Sequence, residues 1–282
     1  MTRADIKTVL ARTYANVPQK HTWQMSAALS YYFVLSLFPA LIVLSAAVTY
    51  LPIPGLFNQI LSFMGDCLPA DVMNLVRQVL ADIIIPNRGA LLSFGILGTL
   101  WTVSGGFAAT IEALDIAYGI SDDRPFWKTR PLSVALAFVT GLLLLIALPV
   151  MVVGPQVGEW FAGRVHLSAQ FVLLWPYIHW TIAITFAILA VEALYLLAPN
   201  VKQSLLAVLP GSAFAVSCWV VLSRLLGTYF RHFGTFNKTY GTLGAAIALM
   251  IWLYWMGFAL LLGAELNSEL AKQRAGDKLV PD

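Results

Sequence analysis

Six stretches of this chain are each long and apolar enough to cross a bilayer, and that fact constrains the fold more than any motif does. Crossing about 30 Å of hydrocarbon takes about 20 helical residues. The runs cover 27–51, 90–114, 131–153, 170–198, 204–229 and 241–266. In lipid each must be helical, because a lone strand would leave its N–H and C=O groups unpaired. Composition agrees. Of 282 residues, 59% are hydrophobic and 11% charged, whereas a soluble domain carries about 25% charge. The expectation is an all-α, polytopic membrane bundle of six transmembrane helices. A cytoplasmic segment at 1–26 precedes the membrane domain at 27–266, and a cytoplasmic tail follows at 267–282. The first span serves as the insertion signal, since the charged start lacks the compact apolar core of a removable signal peptide.

Between the first two runs, Val72, Leu75, Val76, Val79, Leu80 and Ile83 recur at helical spacing opposite Asp71, Arg77, Gln78 and Asp82. This predicts a short amphipathic helix rather than a seventh span. Lys and Arg then orient the bundle. Eleven fall on the side of the termini and of the second and fourth loops, against six on the other side, so both termini are expected in the cytoplasm. The two cysteines, Cys67 and Cys218, lie too far apart in sequence to suggest a disulfide framework.

Several positions depart from plain lipid-facing helix. Pro39 and the Pro210–Gly211 pair interrupt backbone hydrogen bonding inside apolar runs and predict kinks. Gly95, Gly98, Gly105, Gly106, Ala108 and Ala109 predict close approach of a neighbouring helix to the second span. Ionisable groups at membrane depth cost at least about 2.5 kcal/mol each, so Glu112, Glu192, Arg224 and Glu265 are candidates for a substrate path. Arg231 and Lys238 extend that set, because with Arg224 and His232 they place basic charge on the side the charge count assigns to the outside, where Tyr240 would cap a vestibule at headgroup depth. The neutral readings compete: Arg224 can snorkel, Glu265 can be solvated at its helix end, and a proline kink can be satisfied by a neighbouring helix. The connection after the second span, with Asp115, Tyr118, Gly119, Arg124, Pro125 and Trp127, predicts a helix stop at Gly119, a turn and a restart at Pro125.

Signatures of soluble chemistry are missing. The sequence has no HExxH, no Cys/His pair at metal spacing and no Walker loop, so no metal, cofactor or catalytic residue is expected. His179, flanked by Trp175 and Trp180, reads as a packed histidine. Basic residues are scattered between apolar blocks, which argues against nucleic acid as a partner.

Five strings, AALSYYFVLSLFPAL at 27–41, ALDIAYGISDDRPFWKTR at 113–130, LLAPN at 196–200, YGTLGAAIALMIWLY at 240–254 and GAELNSEL at 263–270, occur in this order. Together they resemble the YihY or virulence factor BrkB family of bacterial inner-membrane proteins, once described as ribonuclease BN. The family commonly has a basic residue before its APN-like turn, where this chain has the stretch from Glu192 to Leu197. The resemblance implies six spans in the cytoplasmic membrane and no firmly established activity; ribonuclease chemistry has no acid/base pair or metal cluster here to carry it. The sequence therefore favours a transporter or lipid-translocating permease without its own ATPase. The alternative is a non-transporting envelope scaffold or integrity factor. Expected partners are membrane lipids, with a second copy of the chain or another envelope protein as further candidates.

Overall fold

The computed structural model describes residues 3–49, 89–121, 123–165, 169–232 and 242–275, together with Leu61, Ser62, Gly65, Met73 and Arg77. Seven long helices make up the described chain: α1 (Arg3–Gln19), α2 (Thr22–Thr49), α3 (Gly89–Tyr118), α4 (Phe126–Val165), α5 (Ala169–Leu197), α6 (Leu205–His232) and α7 (Thr242–Ala275). No strand occurs among the described residues. Among the described residues, four helical stretches are long and apolar enough to span a membrane: Phe126–Ala147, Leu174–Leu197, Leu205–Tyr229 and Ala246–Arg274. The first two expected spans correspond to α2 and α3, of 28 and 30 residues. The amphipathic helix expected near 69–85 lies outside the described residues, except that Met73 and Arg77 are both helical, Met73 buried and Arg77 exposed.

The chain is folded around α7, which packs against α6, α2, α1 and α3. Helices α4 and α5 form a long antiparallel hairpin that joins the rest through α3 and α6. Such packing gains nothing from expelling water in lipid, so it depends on fit and on hydrogen bonds between helices. The α6/α7 crossing shows both. A Cβ on Gly211 would overlap the Gly263 carbonyl and the Asn267 side chain, and one on Gly263 would lie 2.6 Å from the Tyr195 hydroxyl. Two glycines facing each other let the backbones meet. In the α4/α5 hairpin, Gly154 packs on the His179 ring and Gly158 on Trp175, whose indole N–H donates to the Gly154 carbonyl.

The glycine stripe of the second span behaves differently from its expectation. Gly106 faces the Tyr32 carbonyl at 3.7 Å, but Gly98 and Gly105 have open space where a side chain would go. Among the glycines of α3 described, the close approach is at Gly106, toward α2. Gly105, one residue round the helix, opens a groove instead.

Pro39 lies within α2, and Pro210 lies in the second turn of α6. At the second site the disturbed backbone is taken up by a side chain from α7. The Gly211 N–H donates to Asn267 Oδ1 at 2.8 Å, and Asn267 Nδ2 donates to the Val208 carbonyl at 2.9 Å. One buried amide thus binds both a donor and an acceptor next to the proline.

Candidate functional site

At the end of the bundle where α1 meets the last turns of α7, helix ends that would leave carbonyls unpaired converge with charged side chains. Helix α1 turns into α2 through Lys20 and His21, and His21 takes a left-handed φ of 51°. That turn directs Lys20 inward. Its Nζ donates to both carboxylate oxygens of Glu265, at 2.7 and 2.9 Å, and to the Ala117 carbonyl in the last turn of α3, at 2.6 Å. Asn16, one turn earlier, donates to Glu265 at 2.6 Å and to Glu269 at 3.0 Å, and Lys272 pairs with Glu269 at 2.8 Å. Glu265 is only 3% exposed. The neutral reading of Glu265, solvation at its helix end, does not hold: it is the buried centre of an ionic cluster, because α1 covers the end of α7. Burial lowers the Lys20 pKa, opposed in part by the charge and hydrogen bond of Glu265.

A second ion pair sits beside it. Helix α3 ends at Gly119, where φ is 71°. The Gly119 N–H donates to the Ile116 carbonyl and the Ile120 N–H to that of Asp115, which is the paired closure that a left-handed glycine allows. The chain then returns, and the Pro125 carbonyl accepts from Lys128 and Thr129 to begin α4. Between these two points Arg124 donates to Asp115 Oδ2 at 3.1 Å and to the Ala198 carbonyl at the end of α5 at 2.8 Å. Asp115 Oδ1 accepts the Asn200 N–H at 3.1 Å. One carboxylate thereby ties the connection after α3 to the turn between α5 and α6. Tyr195 adds a third tie, donating to the Leu260 carbonyl at 2.5 Å. Tyr118 is buried, with its carbonyl 3.5 Å from the Ser268 hydroxyl.

The groove opened by Gly105 lies along α3, beside α2 and the start of α4. It has a volume of about 820 Å³ and is lined by Tyr32, Trp101, Gly105, Ala108, Glu112 and Arg130 among others. Arg130 places its guanidinium 4.2 Å from the centre of the Trp101 ring and donates to the Trp101 carbonyl at 2.9 Å. Glu112 is exposed to this groove and makes no ion pair or hydrogen bond among the described residues.

The remaining candidates do not join these sites. Glu192 is buried in α5 and has no hydrogen-bond or ionic partner among the described residues. Arg224 is exposed near the far end of α6, and Arg231 lies in its last turn. Lys238 and Tyr240 fall outside the described residues. Trp127 is exposed at the start of α4. His179 is buried; its Nδ1 lies 2.9 Å from the Trp175 carbonyl, while Nε2 has no partner among the described residues.

Lys20, Asn16 and Asn267 were not singled out from sequence. Lys20 had been counted for topology alone, and Asn267 lies inside the GAELNSEL string near Glu265 without itself being charged.

These features define a polytopic helical membrane protein with an ion-paired, buried polar layer at one end and a polar groove on its flank. The chain belongs to the virulence factor BrkB family, whose description matches residues 13–281. It is 36% identical to the ribonuclease-like protein YfkH of Bacillus subtilis over 249 residues, covering 88% of this chain and 90% of that one. A UPF0761 membrane protein of Photobacterium profundum is 25% identical over 274 residues, covering 95% and 83%. Another, of Tolumonas auensis, is 24% identical over 253 residues, covering 88% and 80%. No solved structure matches.

Proposed function

We propose that this protein is a permease for an amphiphilic solute, foremost a membrane lipid, and that it crosses the bacterial cytoplasmic membrane six times with both termini in the cytoplasm. The observation that carries the reading is the groove on α3. A groove that brings Glu112 and Thr102 of α3 together with Arg130 of α4 beside small residues gives a polar headgroup a route along the protein while acyl chains stay in lipid. The residues beside the groove include exposed Tyr32, Leu35 and Trp101, which suits lateral entry. The proposed orientation rests on the eleven to six division of Lys and Arg.

The name of the Bacillus relative raises nuclease activity, but no group of three His, Cys, Asp or Glu side chains that would hold a metal occurs among the described residues. A scaffold is the second reading, favoured by the ion-paired polar layer, which ties α1, α3, α5 and α7 together. Reconstitution into liposomes with fluorescent phospholipids and a panel of labelled solutes separates the two. Protein-dependent flux of any lipid supports the permease. An absence of flux across the panel, with the protein correctly inserted, overturns it in favour of the scaffold.

A further inference from the structure

We propose that the groove on α3 is a binding site for the headgroup of an aminophospholipid, with the phosphate on Arg130 and the protonated amine on Glu112. This deepens the permease reading and rests on it for the assumption that lipid is what enters the groove.

Charge complementarity carries the assignment. Glu112 is an exposed carboxylate on a membrane helix with no partner among the described residues, so a cation is the group it lacks. Arg130 is held by the Trp101 ring and carbonyl and by the Phe126 ring, 5.9 Å from the guanidinium. Its one hydrogen bond uses one nitrogen, which leaves donors for a phosphate in the forked geometry that arginine prefers. Stacking on the indole also fixes the plane of the fork.

The spacing selects the ligand further. Trp101 and Glu112 lie on one stripe of α3 together with Gly105 and Ala108, and eleven residues of helix rise by roughly 16 Å. Glu112 and the Trp101-held Arg130 therefore stand toward opposite ends of the groove. A ligand that carries a phosphate at one end of its headgroup and an ammonium at the other offers a partner to each. A phosphate alone reaches Arg130 and leaves Glu112 unpaired. Gly105 and Ala108 keep the floor between the two charges low; Gly105 has open space above it.

The test uses the purified full-length protein in a mild detergent, titrated with phosphatidylethanolamine, phosphatidylglycerol and phosphatidylcholine, with bound lipid counted by native mass spectrometry. Phosphatidylethanolamine is expected to bind about five- to tenfold more tightly than phosphatidylglycerol, because only the former supplies the cation that Glu112 lacks. Phosphatidylcholine, whose amine cannot donate a hydrogen bond, falls between them. Glu112→Gln brings the first two lipids to parity. Arg130→Ala weakens both about tenfold, and Arg130→Lys recovers part of that loss as a point charge. Equal binding of the two lipids by the unaltered protein, or a preference that survives Glu112→Gln, overturns the site. Flux in liposomes is scored separately. Selective binding without flux refutes the permease and leaves the site standing; flux with no selectivity does the reverse.

Discussion

The buried polar layer and the flank groove both place charges in an apolar protein, yet they treat them in opposite ways. In the layer, Glu265 accepts from Lys20 and Asn16, and Asp115 accepts from Arg124 and Asn200. In the groove, the Glu112 side chain has no partner among the described residues, and Arg130 lies against the Trp101 and Phe126 rings with most of its donors open. A buried charge that is fully paired ties helices together, whereas an exposed charge left open in a groove can take a partner the chain itself does not supply. The contrast separates architecture from recognition without appeal to any motif.

The strongest break of that contrast is at the Lys20–Glu265 pair. Lys20→Met leaves a carboxylate buried with Asn16 as its remaining donor, and is expected to cost about 3–5 kcal/mol, read as a lower thermal midpoint in detergent. Combining it with Glu265→Leu should recover most of the loss, because the uncompensated charge is gone. The pH dependence has a definite sign. Burial lowers the pKa of Lys20 below its ordinary 10.5, so the unfolded chain binds the proton more tightly. The cost of keeping Lys20 charged is present in full below the folded pKa, and stability rises as pH climbs from there toward 10.5. The double variant should lose that alkaline rise.

Next in size is the α6/α7 contact. Gly263→Ala drives a methyl group against the Gly211 carbonyl and the Tyr195 hydroxyl, and about 1–3 kcal/mol of destabilisation is expected. Gly98→Ala, into open space on α3, should be neutral or slightly stabilising by the helix preference of alanine. Equal effects at the two glycines would refute the packing assigned here.

Arg124→Ala removes one ion pair and the bond to the Ala198 carbonyl, with an expected cost of about 1.5–3 kcal/mol. Hydrogen exchange should rise first in the turn at 198–204, which that arginine ties to α3. The smallest expected effect on stability is that of Glu112→Gln, within about 0.5 kcal/mol. A large loss there would move Glu112 from the groove's account into the layer's.

The existence of the helices was legible because bilayer thickness and backbone pairing leave few alternatives: α4 to α7 lie where the apolar runs placed them. Gly119 was also readable, since few residues other than glycine accept a left-handed φ at a helix stop. The polar layer was half readable. Glu265 and the residues Asp115 and Arg124 stood out, but their partners did not, as Lys20 is 245 residues from Glu265 in sequence and had an adequate explanation in topology. The glycines of α3 misled because a one-residue step rotates a side chain by about 100°, so Gly105 and Gly106 face different surroundings that composition cannot distinguish.

What the sequence alone determined is the solvent this protein folds in, the helical state of its apolar runs and its family, because each depends on runs of residue type read in order. Which charges are closed off and which stay open was decided by tertiary structure. Lys20 reaches Glu265 because His21 turns α1 beneath the bundle, and Glu112 stays open because Gly105, one step round α3 from the packed Gly106, leaves a groove at its side. Both outcomes depend on the rotation and crossing of whole helices, which local residue patterns do not specify.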